Sequence, residues 1–568
     1  MGPLMGNVSA ALRRFLTRER SMLLAILLAA ATLRLWGLGS VPPGVYCDEA
    51  AMGTNAKMLG LTGRTLKGEV LPLWVHEATF ERYQSYQIVY QPVYQYTLVP
   101  FVRLFGLSSF VVRLPSVLYG VLGVLAVYLF GRGLYGATVG LAAAGLLAIS
   151  PWHHHYSRIC FEVISLPVFL AFGFHLLFRG LERPRCLAGG AVLLALSTYA
   201  YPAGRLFVPI LLLTFAALHP RELWGARRAV LAAAGAAALV AVPNLYVLLT
   251  DPNQGRMHNL FIWGTDIANE NAVLWLREAA KGGGWAATVL ESRPLLLPFV
   301  FGFNWLSHLS PSFLFISGDG RAIYAAQGLG MCYFFVAPLL AMGLWTLARR
   351  WRERKGLFLL AWFLTWPIPA SLTIHAPHGT RGMTNFPVIE IISAVGLVAI
   401  FTAARPAFLP PRSTSWKVAL AAVAACYVAI RVPIEVTGYL RNYHREFPVY
   451  AAKWFDQGVG DGIRRLAAER REGEELYVSP RVHNAYLNIL FFADVDYRAL
   501  DPRTPDHDGL LPTGWHVAWP EKLYSREPKG LWLIQSEEKE EHPKAQVVAK
   551  IDYPDGAPHL YVLRYPAR

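Results

Sequence analysis

Apolar runs of roughly bilayer-spanning length recur along the chain as far as about residue 433, and they constrain its fold more than any motif does. They fall at about 21–39, 114–131, 137–152, 163–179, 186–200, 206–219, 229–250, 330–348, 357–374, 387–404 and 417–433, each nearly free of charge. Soluble proteins carry roughly a quarter charged residues, whereas here the share is 16% of 568. The chain therefore reads as a polytopic α-helical membrane protein of about 11 transmembrane helices. The run at 21–39 is long and has no small-residue cleavage site, so it is expected to stay as the first helix.

The net charge of +15 is accounted for by loops and does not call for nucleic acid as a partner. With the N-terminus inside, the inner segments hold Arg13, Arg14, Arg18 and Arg20, then Arg132, Arg179, Arg183 and Arg185. They continue with Arg221, Arg227 and Arg228, the Arg349–Lys355 cluster, and Arg405, Arg412 and Lys417. The short outer loops hold one arginine each, Arg158, Arg205 and Arg381. Lys and Arg favour the cytoplasmic side, so this asymmetry sets the orientation. One further stretch, Pro92 to Gly106, is short, aromatic and interrupted by Gln95, Pro100 and Arg103, and it reads as a membrane-surface helix.

The outer side then carries two long loops, about 40–113 and 251–329, and the tail. After about 435 the character changes. ELYVSP, GLWLIQ, AQVVAKIDY and HLYVLRY alternate or run apolar like strands, and HNAYLNILFF reads as a helix. The expected division is 1–435 for the membrane domain and 436–568 for a soluble α/β domain on the outer face. Five scattered cysteines give no disulfide framework or zinc knuckle, and no Gly-rich phosphate loop is present in the sequence.

Polar groups gather where the outer ends of the runs should be. Asp48 and Glu49, adjacent carboxylates with Lys57 nearby, follow the first run after a Pro-Pro turn. Ionisable groups at membrane depth are costly and are kept for function; a solvated helix start is the alternative. Arg113, Arg158, Arg205 and Arg381 suit a phosphate, because a guanidinium offers a planar donor fork. The alternative for each is snorkelling to headgroups. The other candidate lining residues are His153, His154, His155, Glu162, Tyr199, Tyr201, Asp319, Arg321, His375 and His378. Consecutive histidines cannot all point one way, so a divalent metal is possible but weakly supported, and no other cofactor is indicated.

These pieces together resemble the GT-C superfamily of membrane glycosyltransferases, specifically bacterial relatives of protein O-mannosyltransferases and lipid A aminoarabinose transferases. The points of contact are Asp48-Glu49, RLPSVLYG from Arg113, SPWHHHYSR with Glu162 beyond it, GDGR at Gly318 to Arg321, and HGTRG from His378. Several relatives have Asp where this chain has Glu162. The resemblance covers about 1–435 and implies transfer of a sugar from a polyprenyl-phosphate carrier, usually with inversion, to a hydroxyl of a protein, lipid or glycan acceptor. It implies the outer face of a bacterial cytoplasmic membrane, with Asp48 as general base, Glu49 and Glu162 as further carboxylates of the site, and arginines on the donor phosphate. Two other functions fit an all-helical chain with charges near the membrane: a secondary transporter or lipid flippase, and a glycan-joining ligase. A transporter is expected to show related halves and charges at the midplane, and this sequence shows neither.

Overall fold

The computed structural model describes residues 18–76, 89–250, 260–264, 267–268, 270–408, 416–500, 511, 514–517 and 530–565. Arg13, Arg14 and Arg412, used above to orient the chain, lie outside these residues, as do parts of both long loops. The side chains of Arg405 and Lys417 lie outside them too.

Every expected run overlaps a helix, the run at 357–374 being helical only to Thr365 and again at Ile368–Ser371. The helices are Arg18–Leu35, Ser109–Tyr135, Ala137–Ile149, Leu166–Gly180, Cys186–Ser197, Ala203–Leu218, Arg227–Thr250, Val336–Arg349, Arg354–Thr365, Val388–Phe408 and Trp416–Arg441. Among the described residues, five stretches are long and apolar enough to cross a membrane by themselves: Ser109–Tyr135, Glu162–Gly180, Arg227–Thr250, Arg293–Ile316 and Val418–Tyr450. Helix Arg227–Thr250 explains why a bilayer is needed. It is apolar all round, yet Leu231, Leu239 and Leu249 are 72–79% exposed, a surface that water would not tolerate. The chain is a multi-pass membrane protein.

Arg293–Ile316 departs from expectation, because it lies inside a loop read as wholly outside the membrane. Its apolar run is broken in sequence by Pro298, Asn304 and His308, but Asn304 and His308 are buried on one face and leave an apolar exterior.

By contacts the chain falls into two compact units. One comprises Met1–Trp36, Val117–Ser157 and Val163–Leu440; the other comprises Gly37–Ser116, Arg158–Glu162 and Arg441–Arg568. Compactness thus groups the first long loop with the tail, a different partition from the compositional one at 435.

Within the first unit, close packing is set by small residues. Helices Val336–Arg349 and Val388–Phe408 cross where Gly343 meets the Ile392 carbonyl and Gly396 meets the Leu339 carbonyl. A side chain at either position would run into backbone. Small residues that let helix backbones approach are the usual device for packing helices in lipid.

In the second unit, helix Pro92–Phe105 packs on helix Cys47–Thr62, burying Tyr94, Gln95, Leu98 and Val102. A short antiparallel pair, β1 (Val75–His76) and β2 (Val89–Tyr90), precedes it. The tail forms a five-stranded mixed sheet from β3 (Leu476–Val478), β4 (Trp515–Val517), β5 (Leu531–Gln535), β6 (Gln546–Asp552) and β7 (Pro558–Arg564). Its order is β4-β3-β5-β7-β6, with β3 parallel to both neighbours and β7 antiparallel to both of its own. The four strand-like stretches and the helix at Ala485–Phe492 are as expected; β4 is too short to show a period. Helix Val459–Ala468 buries Val459, Ile463 and Leu466 against Leu531, Leu533, Leu560 and Val562 of the sheet. A second core joins Met58 and Leu66 of the loop to Leu490, Val495 and Tyr497 of the tail, which is why they share a unit.

Replacing Gly396 by Val should destabilise the membrane unit by at least about 1–3 kcal/mol through overpacking, read as a lower midpoint of thermal unfolding in detergent. Gly145→Val, where a side chain meets nothing within 4 Å, is the control and should be near neutral.

Candidate active site

The adjacent acids of helix Cys47–Thr62 have different fates. The chain enters this helix through Pro42, Pro43 and Gly44; Gly44 has φ +62 and packs so closely on the 455–457 backbone that no side chain would fit. Glu49 is fully buried and accepts four hydrogen bonds: from Tyr46 N at 3.1 Å, Cys160 N at 2.9 Å, and Arg113 Nε and Nη2 at 2.8 Å each. Arg113 also donates to the carbonyls of Leu38, Pro42 and Gly44 at 3.1, 2.9 and 2.9 Å. All five donors of its guanidinium are therefore used.

Two expectations change on these facts. Arg113 has no donor left for a lipid phosphate, and it serves as the structural clamp of the turn. Glu49, saturated and out of reach of solvent, has no lone pair to offer a reacting hydroxyl. Asp48, about 100° further back on the helix, is half-buried and accepts the Tyr90 hydroxyl at 3.1 Å.

The short segment 158–162 is sewn into the same unit. Arg158 is buried, donating to Val41 O at 2.8 Å with its guanidinium 5.5 Å from the Tyr443 ring. Ile159 O accepts Ser116 Oγ, and Glu162 Oε2 accepts Gln91 N at 2.7 Å. Burial, and then the Glu49 charge, push the Cys160 thiol well up, so it is an inert packing group. Lys57 sits 4.4 Å over the Tyr497 ring, and burial lowers its pKa against the opposing pull of Asp494.

The first unit holds the other cluster. Consecutive His153, His154 and His155 are all buried and face three ways. His153 Nδ1 meets Arg34 Nη2 at 2.9 Å, His154 bonds Tyr439 OH and Leu33 O, and His155 bonds Ile323 O. They form no metal set, and among the described residues no group of three or more His, Cys, Asp or Glu gathers as one. Tyr199 is also structural. Its hydroxyl donates to Val240 O and accepts from Asn244 N, inserting into the i, i+4 pair beside Pro243 within helix Arg227–Thr250. Tyr201 and Arg205 are half-buried at the start of the next helix, Arg205 donating to Thr198 O at 3.3 Å.

The segment 373–381 draws the remaining candidates together. Asp319 holds Arg321 through both oxygens at 3.0 and 3.1 Å and accepts Gly379 N at 2.8 Å. His378 Nδ1 accepts Thr380 N, and His378 N donates to His308 Nε2. Burial, and then the charges of Arg381 and Arg321, hold His378 well below the ordinary imidazole range, so it stays neutral. Arg381 donates to Thr373 Oγ1 at 2.9 Å and Ile374 O at 2.6 Å, and its side chain is half-buried. His375, in the left-handed region at φ +65, is 56% exposed; its N–H donates to Glu270 Oε1 at 2.7 Å, and its Nδ1 lies 3.5 Å from the same oxygen.

Sequence reasoning missed three of these participants. Arg34 and His308 interrupt apolar helices, which is a signal in itself. Glu270 lies in a polar stretch and gave none.

A family model described as Dolichyl-phosphate-mannose-protein mannosyltransferase matches residues 90–247. No curated protein is similar enough in sequence to match. Among solved structures, ArnT from Cupriavidus metallidurans bound to undecaprenyl phosphate superposes with a TM-score of 0.57 at 13% identity, over 96% of this chain and 98% of that one. The archaeal oligosaccharyltransferase AglB from Archaeoglobus fulgidus, in complex with an inhibitory peptide and a dolichol-phosphate, gives 0.51 at 14% identity, over 92% and 70%. At these identities the likeness is one of fold, and it is the fold that the resemblance in sequence implied.

Glu49→Gln should leave the Arg113 charge buried without its partner and cost about 3–5 kcal/mol of stability. Adding Arg113→Met should recover part of that loss, so the double variant unfolds later than the sum of the singles predicts.

Proposed function

We propose that the chain is an integral-membrane glycosyltransferase that moves a sugar from a polyprenyl-phosphate carrier to a hydroxyl of a protein, lipid or glycan acceptor. The observation that carries this reading is the separation of roles within one acid pair. Glu49 fixes the helix start through Arg113, and Asp48 is thereby held at a defined, half-buried position. The family match over 90–247 and the fold shared with ArnT and AglB support the lipid-linked donor.

In this reading Asp48 takes the acceptor hydroxyl proton as the oxygen attacks the anomeric carbon. The bond to the carrier phosphate breaks with inversion, and the phosphate leaves as an anion. A base at this step contributes typically 10²–10⁴-fold. The departing charge is met by arginine. Arg113 is committed to Glu49 and Arg158 is buried on Tyr443, so the role falls to Arg381 and Arg205, both half-buried. Glu162 is a further carboxylate of the proposed site, and Tyr201, His375 and Arg321 are proposed to contact substrate. The eleven expected helices all cross a bacterial cytoplasmic membrane with the N-terminus inside. The tail, 436–568, stands outside as an acceptor-holding domain.

Asp48→Asn keeps shape and hydrogen bonding but cannot take a proton. In a reconstituted assay it should lower transfer by at least about a hundredfold while leaving donor binding intact. A near wild-type rate would remove Asp48 from the role. Arg381→Lys keeps the charge and loses the fork, so donor use should weaken in a salt-sensitive way; unchanged use of donor by both Arg381→Lys and Arg205→Lys would overturn the phosphate assignment.

A further inference from the structure

A second polar feature lies inside the first unit where helix Val388–Phe408 begins, next to the start of the short helix that holds His153, His154 and His155. A small cavity there is lined by Ser150, Cys332, Tyr333, Phe335, Glu390 and Ser393 among other residues, and it has room for about one atom the size of a water oxygen. Glu390, Ser393 and Tyr333 are 4%, 0% and 7% exposed. Glu390 Oε2, Ser393 Oγ and the Tyr333 hydroxyl are all buried without a hydrogen-bond partner. Three such atoms around one cavity form a concentration of unmet polar groups, whereas buried polar atoms are ordinarily paired.

The charge on Glu390 sharpens the question. It is the third residue of its helix, where free backbone N–H groups favour an anion, and its carboxylate accepts its own N–H. No Lys, Arg or His lines the cavity. The ion pair at that level, Arg431 with Glu435, is self-contained at 2.7 Å, and Glu435 also accepts Phe335 N. A buried carboxylate without a protein cation is neutralised by a proton or by a bound cation, and the two hydroxyls left without partners beside it favour the cation. The ligand atoms offered are one carboxylate oxygen and two hydroxyls, which are hard oxygens carrying one negative charge. Divalent ions need more charge and six to eight oxygens or several retained waters.

We propose that this cavity is a binding site for a single alkali cation, with Glu390 as its charged ligand and Ser393 and Tyr333 as neutral ones. The site is independent of the transfer reaction: it involves none of Asp48, Arg205 or Arg381. Its place is at the junction of Val388–Phe408 with the end of Ala137–Ile149 and the turn before Val336–Arg349. A bound cation would tie three helices together there.

The test uses the full chain in lipid nanodiscs with choline as the only other cation. A protonated carboxyl gives its proton to a hydrophobic carbodiimide and its oxygen adds to the carbodiimide carbon, so the rate of modification at Glu390, read by peptide mass spectrometry, reports whether a cation has displaced the proton. Sodium at ten times its dissociation constant should slow modification about elevenfold, and Ser393→Ala should move the protecting concentration upward severalfold. Potassium in place of sodium distinguishes the two ions within the same class. The unfolding midpoint of the wild type should rise with sodium, and that of Glu390→Gln should not. If Glu390→Gln does not fold, Ser393→Ala serves for this comparison and should show a reduced rise. Equal modification with and without either ion would show a protonated carboxyl beside a water and would overturn the proposal. So would the absence of modification together with a midpoint indifferent to both ions.

Discussion

The ion pair of Glu49 and Arg113 is the contact on which the first loop depends. Desolvating two charges is expensive, and a buried pair is tolerable only when its remaining donors and acceptors are also satisfied. Here they are. Five guanidinium donors and four carboxylate bonds are all accounted for, and three of the partners are carbonyls of the Leu38–Gly44 turn. The pair therefore fixes a stretch of irregular backbone that has no regular hydrogen bonding of its own. It also fixes segment 158–162 through Cys160 N. A carboxylate one residue away on the same helix is positioned as a consequence, which is what a base on a flexible acceptor would require.

The membrane unit solves the same problem with a different set of groups. Segment 373–381 has little regular structure, yet its backbone is held by side chains from several elements. Glu270 and Asn271 hold His375 N and Ala376 O, Asn304 reaches Ser371 O and Thr373 O, His308 holds His378 N, and Asp319 holds Gly379 N. The left-handed His375 survives in that grip. Non-helical backbone is tolerated where protein satisfies it, and here Asn304 and His308 of an apolar helix share that task with Glu270, Asn271 and Asp319.

Most of the fold was legible in the sequence because lipid imposes a length and a polarity on every crossing segment. Each of the eleven expected runs overlaps a helix, and four tail strands and a helix followed from alternation or short apolar runs. The helix at Arg293–Leu309 was not legible, because hydropathy averages over faces and the polar residues that interrupt its run are turned inward. The candidate site was half legible. Asp48-Glu49 stood out as a pair, but nothing in the sequence says which member is locked. Arg113 reads identically as a phosphate fork and as a clamp, since both uses exploit the same five donors. Tyr199, a candidate lining residue by sequence, is taken up by the backbone beside Pro243 some forty residues on. Long-range pairings of this kind leave no local trace.

The central claim is that the chain breaks the bond between a sugar and a polyprenyl phosphate. The most direct measurement is to give the purified protein, reconstituted in vesicles, a polyprenyl-phosphate sugar labelled in both parts, together with candidate hydroxyl acceptors. The account predicts that the sugar label moves to acceptor while free polyprenyl phosphate accumulates in equal amount. Movement of the intact lipid-linked sugar between leaflets, with both labels still joined, would contradict it and point to a transporter.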